Sequence, residues 1–222
     1  PEVMTTMLLI QAGPVNLPDP VEVGPFFMDR TEVTNGRFLE FCGAHQWRVP
    51  PQAATQPSDY PVTGVTFYDA QAFAASLNKR LPTEAQWARA AADSTGLVMK
   101  FPWGGVFEDG AANFSGAPDG VREYEKDRTG DGVCGLAGNV SEWTRTLFRP
   151  LPYDPNDGRD DPNAPDFGKG MVIRGGNYGD PVHSPMDQRQ EMVFEAASPT
   201  LGFRCVVTPP QTLAGLEKLA GM

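Results

Sequence analysis

Glycine and proline set the first limit on this chain. They number 24 and 22 among 222 residues and recur from end to end. Glycine weakens helix interiors and proline breaks them, so long helices are excluded and short elements joined by long loops are expected. The apolar content, 40%, still suffices for a core. The length allows one large domain or two small ones. No internal repeat or composition break marks a boundary, so the expected organisation is one domain over 1–208 and a tail over 209–222. That tail, "PPQTLAGLEKLAGM", breaks at Pro209-Pro210 and then reads as a short amphipathic helix, either terminal or opening a linker.

Charge narrows the partners. A formal net charge of −10 argues against nucleic acid, whose phosphates need a basic face, and against anionic membrane surfaces. No apolar run approaches the roughly 20 residues that span a bilayer, so no membrane insertion is expected. A chain starting at Pro1 reads as a fragment or processed form, so the lack of a visible signal peptide carries no weight. Three cysteines (Cys42, Cys134, Cys205) without a CxxC make no disulfide framework. Two histidines, His45 and His183, cannot build a histidine-rich metal centre. GxSxG, phosphate-loop and HExxH patterns are absent. Asp180 and Asp187 beside His183 can be drawn as an acid–base group, but three polar residues in one loop are expected from composition.

Local signals predict the elements. "MLLIQAGPV" (7–15) reads as one strand and "VGPFFMDRTEVT" (23–34) as a second. Thr34 is an N-cap for a helix with Phe38, Phe41 and Cys42 on one face. Thr66 with Asp69, and Thr83 with Gln86, are capping boxes for two further helices. The Pro-rich segment 47–65, the Gly/Asp-rich segment 104–135 and segment 148–170 read as loops, and "FPWGG" (101–105) as a turn. "MVIRGGNYGD" and "LGFRCVV" read as late strands. "GLAGNVSEWTR" (135–145) is the most informative stretch. Its glycines suit a tight loop with carbonyls turned inward, ending at a fixed carboxylate, Glu142, and an indole, Trp143. Such a loop suits a hard cation or a heavily hydrogen-bonded turn.

Read together and in order, "FFMDRTEVTNGRFLEF", "PVTGVTFYDAQAFAASLNKRLPTEAQWARAA", "FPWGG", "ANF", "GLAGNVSEW", "VIRGGNY" and "LGFRCVV" resemble the formylglycine-generating-enzyme (sulfatase-modifying factor) domain superfamily, over about Met7 to Val207. The resemblance implies an α+β, irregular, loop-rich C-type lectin-like fold. That superfamily mixes copper-dependent formylglycine-generating oxidases, iron-dependent sulfoxide synthases, domains attached to bacterial Ser/Thr kinases, and ligand-binding proteins diversified by retroelements. Fold therefore does not settle function.

The resemblance also implies roles for single residues. The oxidases' copper cysteines, counted from Arg174-Gly175-Gly176, fall at Asp180 and near Pro185, and neither supplies the thiolate that soft Cu(I) needs. No copper or iron is therefore expected, and the chain reads as not an enzyme. Cys205 matches a structural family cysteine whose usual partner is missing here. It reads as a buried free thiol, with a bond to Cys42 or Cys134 left open. A structural calcium is the implied cofactor, through the carbonyls of Gly138 and Val140 with Glu142, and through Asn113, the Phe114 carbonyl and Asp119. Gly135 replaces one family ligand of the first set. The competing reading has Asn139 and Glu142 hydrogen-bonding the loop while Trp143 fills the core. Arg174 and Arg204 read as buried arginines paired with loop acids. Asn177, Tyr178, Asp180, His183 and Arg189 lie in the segment that forms the ligand surface of binding members. The expected function is a non-catalytic module for a protein or small ligand, the sensor or interaction domain of a bacterial signalling protein such as a Ser/Thr kinase, in the cytoplasm or outside it. The alternatives are a retroelement-diversified binding protein, for which the variable segment is poor in Asn, Ser and Tyr, and a divergent oxidase.

Overall fold

The chain begins by pairing its first strand with its fourth. In the computed structural model, which describes residues 7–164, 166, 169–180 and 182–209, β1 (Met7–Ile10) runs antiparallel to β4 (Phe26–Asp29). A hairpin of β2 (Gly13–Leu17) and β3 (Asp19–Val23) stands between them and turns at Pro18. Residues 7–15 are thus two strands in different sheets, not one, because the chain breaks at Gln11-Ala12. β9 (Val206–Val207) pairs with β4, so the last described strand closes on the beginning of the chain.

The helices follow their caps. α1 (Asn35–His45) starts at Thr34, whose side chain accepts from the Arg37 N–H, and it buries Phe38, Phe41 and Cys42. α3 (Phe67–Ser76) and α4 (Glu84–Ala90) both carry complete capping boxes, Thr66 with Asp69 and Thr83 with Gln86. A short α2 (Pro51–Thr55) lies where a loop is expected. Pro51 at its first position is compatible with helix, since its missing N–H has no intrahelical partner there. α4 is buried on every side.

No described helix or strand occurs between Ala90 and Ser141, and the next is β5 (Ser141–Leu147). It pairs antiparallel with β6 (Met171–Arg174) and parallel with β8 (Leu201–Gly202), while β7 (Arg189–Met192) extends the sheet from β6. β5 corrects the sequence reading of 135–145 as a tight loop, the strand expected in "MVIRGGNYGD" ends at Arg174, and β7 is a strand that the sequence reading did not include. β5 is central and buried, so the polar alternation of a half-exposed strand never develops. "LGFRCVV" is not one strand. Phe203–Cys205 carries the chain from β8 in one sheet to β9 in another. The tail helix expected after Pro210 lies outside the described residues.

Two apolar clusters hold these layers. One gathers Trp87 with Ile10, Val15, Phe26, Met28 and Leu136. The other sets Phe38, Phe41, Phe73 and Phe203 in stacked, tilted and edge-to-face contacts, with centroids 5.4–6.2 Å apart, beside Trp143. Each such ring contributes about 1.5–3 kcal/mol by burial. All three cysteines are buried and free, so the open Cys205 bonds are not formed.

Two glycines of "GLAGN" are held for different reasons. Gly135 has φ +73°, and a Cβ there would lie 2.7 Å from a Glu32 oxygen. Gly138 has ordinary φ, but its Cβ would sit 2.7 Å from the Asn113 carbonyl oxygen. Gly138→Ala is therefore expected to destabilise the fold by about 2 kcal/mol or more, because backbone must move. Gly105→Ala, whose Cβ meets open space, should stay within about 0.5 kcal/mol of wild type. Urea unfolding of the two variants checks this, and equal losses would contradict it.

Candidate functional site

The loop at 135–142 is built on buried charge. Arg204 has no exposed surface, and its Nε and Nη2 donate to the Glu142 carboxylate at 2.7–3.0 Å. Its remaining donors reach the carbonyls of Asp29, Arg30 and Cys134. The Trp87 indole N–H donates to Glu142 Oε2 at 3.0 Å. Arg174 is likewise buried and paired with Glu84, which Arg189 also grips through Nε and Nη2. Both arginines are thus structural, as the sequence suggests. Their hydrogen-bonded acids sit on α4 and β5, while the loop acid Glu32 lies 3.9 Å from Arg204.

Asn139, at φ +64°, is the hub of the neighbouring polar cluster. Its side chain donates to Glu32 Oε1 and to the Asp119 carbonyl, and accepts from Asn113 Nδ2 and the Asp119 N–H. Asp127 accepts from the Ala137 and Gly138 amides. Burial pushes the Glu32 carboxyl up to about 8, against the pull of Arg204 and with help from Glu142 and Asp127. Burial also raises Asp127 to about 6, against its two amide bonds. Glu32 Oε2 is buried without a hydrogen-bond partner and lies 3.9 Å from Arg204 Nη2.

These contacts test the calcium expectation. Both Glu142 oxygens are taken by Arg204 and Trp87. Asn113 Oδ1 accepts from the Ser115 amide and hydroxyl, and the Asp119 oxygens accept from the Gly120 amide and the Tyr124 hydroxyl. Among the described residues no group of three or more His, Cys, Asp or Glu is placed to hold a metal. A cation needing six to eight oxygens does not fit carboxylates already committed to a guanidinium and to protein donors. The arrangement matches the competing reading: Asn139 and Glu142 fasten the loop, and Trp143, buried, donates to the Val65 carbonyl.

Three loops are laced together at the surface above this cluster. The backbone bonds Asn139 N–Asn113 O, Tyr178 N–Asn139 O and Gly116 N–Tyr178 O join segments 113–117, 135–140 and 176–184. Asn177 donates to Ser141 Oγ, and the Tyr178 hydroxyl donates to the Pro199 carbonyl. Asp180 accepts from the Val182 and Ser184 amides. Against its partial burial, these bonds hold its carboxyl below the ordinary range. His183, at φ +52°, stacks flat on Phe107 at 4.0 Å and meets Phe114 edge-on at 4.9 Å. Phe107 meets Phe101 edge-on, and Phe101 stacks on Trp103. Val182, 78% exposed, and Val106 stand nearby in sequence. Of the residues expected at the ligand surface, Asn177, Tyr178, Asp180 and His183 share this loop. Arg189 does not. It is drawn into β7 by Glu84 and lies over the Phe148 ring. Phe107 was missed, although aromatics at 101, 103 and 107 were a readable signal.

Comparisons agree with this architecture. The profile of the family described as "Sulfatase-modifying factor enzyme 1-like domain" matches residues 2–209. The chain is 29% identical to the formylglycine-generating enzyme of Streptomyces coelicolor, over 83% of this chain and 79% of that one. It is 30% identical to the serine/threonine-protein kinase pkn1 of Chlamydia pneumoniae, over 91% of this chain but only 38% of the kinase. The solved structure of PvdO from Pseudomonas aeruginosa superposes with a TM-score of 0.71 at 21% identity, covering 90% and 93% of the two chains. At that identity the likeness speaks for fold alone.

Two outcomes follow from the polar cluster. Folded Glu32 holds a proton that the unfolded chain releases between pH 4.5 and about 8. Its contribution therefore makes stability fall as pH rises across that window, with a limiting slope of about 1.4 kcal/mol per pH unit. Glu32→Gln keeps the acceptor for Asn139 and cannot ionise, so its urea-unfolding stability should lose that slope. Curves parallel to wild type would refute the assignment. Chelation with EGTA should leave the melting temperature within about 1 °C, and a larger, calcium-reversible drop would support the calcium reading.

Proposed function

Because this chain belongs to the sulfatase-modifying factor enzyme 1-like domain family, we propose that it works as a binding module rather than an oxidase, as the interaction domain of a bacterial signalling protein of the Ser/Thr-kinase kind. The observation that carries this is Asp180. At the position matching the first copper cysteine, the chain has a carboxylate that accepts two loop amides and so fixes the turn presenting His183 on Phe107. The residue builds a surface where the oxidases place a thiolate. The second position, Pro185, cannot ligate copper either, and the cysteines the chain does have are buried at 42, 134 and 205.

The surface suits recognition. A non-glycine residue at positive φ costs about 1 kcal/mol or more and persists only where its surroundings hold it. Here the aromatic stack and the Asp180 turn do so. The result is a patch of His183, Phe107 and Phe114 with exposed Val182 beside it, apolar enough to anchor a partner and ringed by hydrogen-bonding loops. The match to a kinase over most of this chain supports a role as one part of a larger protein.

Two measurements decide between the readings. Copper-loaded protein incubated with a cysteine-containing sulfatase peptide should yield no aldehyde by mass spectrometry, and an aldehyde would overturn the proposal. Affinity capture should enrich a defined partner with wild type and lose at least about tenfold of it with Val182→Asp or His183→Ala. Equal capture by both variants would place the interface elsewhere.

A further inference from the structure

A cavity of about 360 Å³ opens between α3, the 79–81 turn and β5, lined in part by Phe67, Leu81, Pro162, Lys79, Arg80 and Arg145. It shares no residue with the loop surface above. In a chain of net charge −10, its lining carries more positive than negative charge, and the pairing of those charges is telling.

Lys79 is spoken for. Its ammonium donates to Asp29 at 2.6 Å, and both groups are buried. Arg80 makes no salt bridge among the described residues, and only its backbone is engaged, with Val206. Arg145 uses Nη1 on the Asp160 carbonyl at 2.9 Å, while its buried Nε has no partner. It too makes no salt bridge among the described residues. Asp160, on the same wall, turns its carboxylate to the hydroxyls of Thr146 and Tyr153 instead. Burial, with the charge of Arg80 added, holds the Arg145 guanidinium below its ordinary pKa, although Asp160 opposes the shift. Two guanidiniums that repel each other in a concave site, neither paired with a carboxylate among the described residues, form an arrangement that an anion would stabilise.

We propose that this cavity is a binding site for a small organic carboxylate, its acid group held between Arg80 and Arg145 and its hydrocarbon or aromatic body against Phe67, Leu81 and Pro162. The two arginines offset by one nearby carboxylate suit a single negative charge. Guanidinium forks match a carboxylate's two oxygens. The volume lies within the roughly 300–1,000 Å³ of ligand pockets, larger than a bare anion needs, and the apolar walls would have no role against inorganic phosphate.

Amide chemical-shift titration of the whole chain with phenylacetate, hexanoate, acetate, phenylacetamide and inorganic phosphate tests this. Phenylacetate and hexanoate should shift the amides around residues 79–81 and 145, binding at least about tenfold more tightly than acetate, phosphate or the neutral amide. Arg80→Gln, at an exposed position, should weaken phenylacetate by about tenfold while leaving the melting temperature unchanged. Four results would overturn the proposal: phenylacetamide binding as well as phenylacetate, phosphate or acetate binding as well as either larger acid, no shifts from either larger acid, or an affinity indifferent to Arg80→Gln.

Discussion

One guanidinium ties together the parts of this fold that have no regular structure. Arg204 sits without exposed surface between β8 and β9, and its donors reach β4, the 134–135 turn and Glu142 on β5. Burying a charge costs several kcal/mol unless partners surround it. Here a carboxylate and three carbonyls supply those partners, and the carboxylate is itself held by the Trp87 indole. The pair is therefore a constraint on geometry more than a source of stability. Any rearrangement that separated Arg204 from Glu142 would leave both charges buried and alone, so the loops that meet there have one acceptable arrangement.

Around that pair, burial pushes the Glu32 carboxyl up to about 8, and Asn139 spends both ends of its amide on neighbouring loops. This explains how a segment of some fifty residues without helix or strand keeps a fixed course. Its backbone polar groups find partners in side chains and in other loops rather than in a ladder. The same lacing reaches the surface, where Tyr178 bonds through its backbone to both Asn139 and Gly116.

Much of the candidate surface was legible because the deciding signals were local or carried by ordered motifs. Asn177, Tyr178, Asp180 and His183 are neighbours in sequence and stay neighbours in space. Arg189 is only a few residues further on, yet its long side chain was claimed by Glu84 of α4, more than a hundred residues away, and no local pattern announces such a pairing. The calcium expectation likewise rests on side-chain chemistry that only the fold can qualify. Glu142 and Asn113 have the right chemistry for a cation, and only the position of Arg204, Trp87 and Ser115 shows that their oxygens are already engaged.

By itself, the sequence determined the glycine- and proline-punctuated α+β character, the starts of α1, α3 and α4, and that positions 180 and 185 carry no cysteine. Caps act within a single turn, and composition and residue identity need no folding to be read. Tertiary structure alone decided that "SEWTRTL" is a central strand, that "RQEM" extends its sheet, that "LGFRCVV" bridges two sheets, and which acid meets which arginine. Those outcomes depend on burial on both faces and on charge pairs closed across the whole chain. Such contacts carry no periodicity along the sequence and exist only once the distant segments have met.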